Sequence, residues 1–190
     1  MANVDAPFGF RPVGELGSNI QNGGTSKYKI VSGEADVIYK GDVVKIETSG
    51  CITVSGNTDT VNIGVFNGCF YNDPTTQKPT WSNYYPGSIT PTVGDISAFI
   101  YDDPNKLFEV QANGTLAQTA VGDNADQVYA AGSTINGASK SELGSVAGAA
   151  AQFRIVRICE DPDNSDISSA NSNWIVRFNE HLYYNNAAGV

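Results

Sequence analysis

Hydrophobic and polar positions alternate along this chain in short runs, and pairs of turn-forming residues separate the runs. In TVNIGVF (60–66), Val61, Ile63 and Val65 recur at a spacing of two, the period of a half-buried strand. KYKIV (27–31), GDVVKIE (41–47), CITV (51–54), DISAFIY (95–101) and KLFEVQA (106–112) read the same way, many bounded by SG, GN or NG pairs. Between the last two, DDPN (102–105) puts proline second in a turn and predicts a hairpin. Two β-rich runs follow, QFRIVRICE (152–160) and NWIVRFNEHLYY (173–184); in the latter Trp174, Val176 and Phe178 share one face, with Ile175 and Arg177 on the other. Helical signals are short. VGDNADQVYAAG (121–132) offers Asp123 or Asn124 as a cap and Gly132 as a stop, and Ser139 with Glu142 spells a capping box.

The pattern predicts a mainly β protein, an antiparallel β-barrel or β-sandwich with short helical turns. Residues 25–190 form its single domain, and residues 1–24 precede it as an extended N-terminal arm and Gly/Asn-rich connector. Two segments stand outside the alternation. DAPFGFRPV (5–13) sets Phe8, Phe10 and Val13 among two prolines and a glycine, so it buries its aromatics only by docking on its own domain or on a neighbour. The excursion 67–94 carries four prolines with Phe70, Tyr71, Trp81, Tyr84 and Tyr85, which argues against a central strand and for a loop that folds over its own domain or meets a partner.

Composition narrows the role. At 190 residues the chain is long enough for a real core. Only 16% of residues are charged, below the roughly 25% of ordinary domains, so Asn, Ser, Thr and Gly must cover the surface. The net charge of -9, with eleven scattered Lys and Arg, argues against nucleic acid and anionic membranes as partners. No run of about 18 apolar residues and no basic-then-apolar start predicts a membrane span or secretory leader. Cys51, Cys69 and Cys159, odd in number and without CxxC spacing, read as reduced core thiols.

Candidate chemistry is sparse. The only histidine, His181, lacks a GxSxG serine context and reads as a locally bonded residue. GSTINGASKS (132–141) has two residues between its second glycine and its lysine, where a phosphate loop needs none. DPDNSD (161–166) has Asp166 where a calcium loop needs glycine, and Ser172 where it needs glutamate, so it reads as a solvated acidic turn. Adjacent pairs such as Asp102 and Asp103 lack the 5–10 Å separation, approximately, of glycosidase carboxylates. The expectation is a protein without catalytic residues, metal or cofactor, working through its surface.

APFGFRPV, KGDVVKIETSG, IGVFNGCFY, YDDPNKLFEVQANGT and IVRFNEHLYY together resemble a family of small virion structural proteins of tailed bacteriophages, in marine and cyanobacterial phages particularly. The resemblance spans nearly the whole chain. It implies a β-rich capsid decoration, or cement, protein. Such a protein is made in the host cytoplasm, is often a homotrimer, and binds the outer surface of the major capsid protein lattice. The expected contacts are Phe8, Phe10, Arg11 and Pro12 in the arm and Trp81, Tyr84 and Tyr85 in the loop. A carbohydrate- or receptor-binding or structural β module of the phage tail or neck is the alternative, with the same loop aromatics as a stacking platform.

Overall fold

The computed structural model describes residues 3–17, 24–160 and 162–184. Its strands, in chain order, are β1 (Arg11–Glu15), β2 (Ser26–Ile30), β3 (Val43–Ile46), β4 (Ile52–Val54), β5 (Asn62–Asn72), β6 (Pro79–Ser82), β7 (Ile96–Tyr101), β8 (Lys106–Gln111), β9 (Asn124–Val128), β10 (Glu142–Ala147), β11 (Phe153–Ile158) and β12 (Asn173–Phe178). They form two six-stranded antiparallel sheets. The first runs β1-β8-β12-β11-β9-β10, and the second β2-β7-β5-β3-β4 with β6 added on β5. The architecture is sandwich-like. Both sheets curl: a single bridge from Ala112 to Leu143 draws β10 back towards β8, and β2 approaches β4, but no ladder closes either sheet.

The turn at DDPN forms, with Asn105 N–H donating to the Asp103 carboxylate (2.8 Å) and Lys106 N–H to the Asp103 carbonyl (3.0 Å). It does not make the predicted hairpin. Both edges of β7 are taken by β2 and β5, and both edges of β8 by β1 and β12, so this corner carries the chain from one sheet to the other.

Two apolar cores result. Phe108, Val110, Phe153, Ile155, Trp174, Val176 and Phe178 of the first sheet pack with Val43 and Val65 of the second. Ile30, Val44, Ile63, Phe66, Cys69, Tyr71, Ile96 and Ile100 form the other core, with Ile38 and Tyr85 from the connecting segments. Strand β5 serves both. Its register slips between Val44 and Lys45 of β3, so Ile63 and Val65 belong to different cores, although plain alternation puts them on one face. Gly64 lies between them with no room to spare: a Cβ there would fall 2.2 Å from the Tyr101 carbonyl oxygen.

The predicted helical turns near 121–144 are instead strands β9 and β10, and the only helix among the described residues is a 3₁₀ turn, Gln118–Ala120. The polar residues of NADQV misled the pattern because they are buried for hydrogen bonding. Gln152 bridges the sheets. Its amide donates to the carbonyls of Gly56 and Asp59 (both 2.9 Å), while its side-chain oxygen accepts from Gln127 N–H (3.0 Å). The Gln127 amide also reaches across, to the Ser55 carbonyl at 2.7 Å. Replacing Gln152 with Ala strands these buried groups at about 1–3 kcal/mol. Thermal melting of Gln152→Ala is expected several degrees below wild type, and an unchanged Tm contradicts the bridge.

Candidate interaction surfaces

The arm docks on its own domain. Asn3 donates to the carbonyls of Asp166 and Ala170 (both 2.8 Å). Val4 is gripped on both sides of its peptide: its N–H reaches the Asn164 side-chain oxygen (2.8 Å), and its carbonyl accepts from Gln111 (2.9 Å) and Asn164 (3.1 Å). Ala6 N–H donates back to Gln111 (3.0 Å). Gly9 is forced to be glycine, because φ is +73° and an added Cβ would sit 2.5 Å from Ser139 Cβ. Phe10 N–H then donates to the Gly41 carbonyl at 2.9 Å.

Phe10 is fully buried, its ring stacked on Phe153 with centroids 4.4 Å apart. From Arg11 the chain is no longer an arm but edge strand β1, where Pro12 is tolerated because it lies opposite Phe108 at a sheet edge with a register shift beside it. The Arg11 guanidinium reaches Glu109 at 2.6 Å and lies 4.7 Å from the Phe8 ring centroid. At the other end of β1, the buried Lys106 ammonium lies 3.2 Å from Glu15. Gly14 and Glu15, expected in the connector, therefore belong to β1, and residues 18–23 of that connector lie outside the described residues. Phe8 is half-buried, and with Phe10, Pro12, Val65, Phe66 and Tyr101 it lines an apolar pocket of about 150 Å³.

The excursion divides in the same way. β5 continues through Asn72, and β6 returns beside it with Pro79 at its first position, so much of the expected loop is a β-hairpin. Tyr85 is core. Its backbone bridges Ile38, and its hydroxyl donates to the Glu34 carbonyl at 3.0 Å while accepting Ile89 N–H at 3.1 Å. Tyr84 stacks on buried Tyr39, the rings nearly parallel with centroids 5.9 Å apart. Only Trp81 of the three faces solvent strongly, 53% exposed. It stands opposite Phe70 (42% exposed), tilts against Phe99 with centroids 5.2 Å apart, and lies over Gly68, where a Cβ would meet its ring at 2.6 Å. Sequence grouped Trp81 with two tyrosines; the pairing of β5, β6 and β7 groups it with Phe70 and Phe99. Strand alternation carried the signal for Phe70, since Cys69 and Tyr71 on either side are buried.

His181 is buried with both ring nitrogens engaged. Nε2–H donates to the Ile63 carbonyl (2.9 Å), Nδ1 accepts Tyr183 N–H (3.2 Å), and burial holds its pKa below the usual value. DPDNSD is not merely a solvated turn. Asn164 within it is the arm's main polar receptor, while Asp161 lies outside the described residues. Of the three cysteines only Cys69 is a core thiol, its pKa pushed up to about 12 by burial; Cys51 and Cys159 are half-buried. An open cleft of about 570 Å³ on the outer face of the first sheet is lined by Val13, Leu16, Leu107, Arg157 and Ile175 among others. Among the described residues no helix is long and apolar enough to cross a membrane.

The chain matches no protein-family model, no curated protein and no solved structure.

Asn164→Ala removes both side-chain bonds to the Val4 peptide while leaving Phe10 in its core. Hydrogen exchange of the Ala6 amide is expected to speed at least tenfold while that of Phe10 stays slow. Equal acceleration at both amides contradicts independent anchoring of the two ends.

Proposed function

We propose that this protein is a virion structural protein of a tailed bacteriophage. In this reading it decorates the outer surface of the major capsid protein lattice, with a patch of exposed aromatic surface as its anchor, and works as a homotrimer without nucleic acid, membrane or cofactor. The motifs that carry the resemblance support the reading by their placement together at the junction of the two sheets. APFGFRPV reaches KGDVVKIETSG through the Phe10–Gly41 bond, KGDVVKIETSG reaches IGVFNGCFY through Gly41 N–H and the Phe66 carbonyl (2.9 Å), and IGVFNGCFY pairs with YDDPNKLFEVQANGT at Val65 and Tyr101. Phe108 and Phe178 join the last two motifs edge-to-face at 5.6 Å. These motifs specify one framework.

The observation that carries a contact role is the Trp81–Phe70–Phe99 patch, in which exposed aromatic rings from neighbouring strands are packed side by side. Aromatic residues supply a disproportionate share of interface energy, and a ring already packed against its neighbours loses little conformational entropy on binding. Repetition over many lattice positions turns a modest single contact into a large stabilisation. The arm residues Phe8, Phe10 and Pro12 act in this reading mainly inside the subunit, leaving Arg11, with 57% of its side chain exposed, as the arm's outward group.

Sedimentation of the protein with expanded, undecorated capsids tests the proposal. Trp81→Ala is expected to weaken co-sedimentation at least tenfold with Tm nearly unchanged, and undiminished binding contradicts it. The open indole face over Gly68 also favours a second reading, a sugar-stacking module of the tail or neck. A glycan-array signal that disappears in Trp81→Ala, with no capsid binding by the wild type, selects that reading.

A further inference from the structure

Three of the four arm residues expected at contacts, Phe8, Arg11 and Pro12, come together around the apolar pocket where the arm meets the domain. Its floor is Phe10, Val65 and Phe66, all fully buried, and its sides are Phe8, Pro12, Tyr101 and Ala138, each half-buried. The floor is rigid. Val65 pairs with Val43 on one side and Tyr101 on the other, Phe66 N–H donates to the Asp42 carbonyl (2.9 Å), and Phe10 is stacked on Phe153. Ala138 is fixed by its bridge to Lys40, and its carbonyl accepts Ser133 N–H at 2.9 Å. A space of about 150 Å³ bounded by apolar groups holds water poorly and has room for one benzene-sized group.

Two cations also line this pocket, and they differ in how they are satisfied. Arg11 is spent on Glu109 (2.6 Å) and on the Phe8 ring. Lys40 is exposed, and no carboxylate among the described residues pairs with it. Asp42, two positions on, is buried and gives one oxygen to Tyr39 N–H (2.8 Å). In a chain of net charge -9, an unpaired cation beside an apolar socket is complementary to an acidic group carried next to an apolar side chain. The space admits one side chain, and so small a free ligand gains too little contact to offset its lost freedom, whereas a residue on a larger partner enters a preformed site as part of a wider interface.

We propose that this socket is a docking point for a partner protein, taking one leucine-sized side chain with a carboxylate beside it, and that Lys40 meets the carboxylate. The socket shares no residue with the Trp81 patch and is a second contact. It rests on the decoration reading only for the identity of the partner, which is then an exposed apolar and acidic element of the capsid lattice. The arm in this account is the wall of a receptor: Phe8 and Pro12 shape the opening, and Arg11 braces Phe8 from outside.

Methyl NMR of the intact protein reads the site. Titration with N-acetyl-Leu-Glu-amide is expected to shift the Val65 and Ala138 methyls saturably and to leave Ile96, in the other core, unmoved. N-acetyl-Leu-Gln-amide should bind about fivefold more weakly, and Lys40→Gln should erase that difference. Alanine in place of the peptide's leucine should cost on the order of tenfold. The proposal is overturned by the absence of a saturable shift at these methyls, by equal affinity for the two leucine peptides, or by a difference that survives Lys40→Gln. Ala138→Leu, which narrows the pocket from its side, carries the test to the particle: co-sedimentation with expanded capsids is expected to fall on the order of tenfold with Tm nearly unchanged. Undiminished binding by Ala138→Leu, with binding still lost in Trp81→Ala, overturns the docking role and leaves the decoration reading standing. Peptide discrimination with no capsid binding by the wild type does the reverse, supporting the socket with a different partner protein.

Discussion

The stacking of Phe10 on Phe153 is the contact on which the arrangement of this chain depends. It places a residue from the N-terminal segment in the core between the sheets, 143 positions from its partner, and sets the register of everything beside it. With Phe10 seated, its amide reaches Gly41, Gly9 presses on Ser139, and the following residues are delivered to the free edge of β8 as β1. A fully buried phenylalanine is worth about 3–5 kcal/mol on truncation, whereas the Arg11–Glu109 pair joins a largely exposed guanidinium to a buried carboxylate that Asn173 also holds. The aromatic insertion holds the arm, and the charge pair orients the strand that follows.

The strands themselves were legible in the sequence, because β-branched and aromatic residues at a period of two are read locally. What escaped was whatever depends on partners distant in sequence. The arm's receptors, Gln111 and Asn164, sit about 105 and 160 positions away, and nothing near DAPFGFRPV announces them. DDPN encodes a turn but not the sheet in which the next strand pairs. NADQV carried a helix-cap residue, Asn124, whose side chain is spent instead on Ala149 and Arg154, while its neighbour Gln127 reaches across to the other sheet at Ser55. Of the seven residues expected at contacts, Phe10 and Tyr85 are core and Tyr84 stacks on Tyr39, while Trp81 is strongly exposed.

The division between buried and exposed aromatics has a functional consequence. A module built for contact keeps its framework independent of the partner, so that the contact face can be presented without refolding. Here the framework consumes the arm, and the hairpin of β5 and β6 presents Trp81 and Phe70 on a rigid sheet with Phe99 behind. The net negative charge of the whole chain, -9, discourages promiscuous binding to polyanions.

Equilibrium unfolding of Phe10→Ala tests the central claim most directly. If the arm is an integral part of the core, the variant loses about 3–5 kcal/mol of stability in denaturant titration, far more than Phe8→Ala measured alongside it. A Phe10→Ala protein as stable as wild type contradicts the account and returns the arm to the role of a free tether.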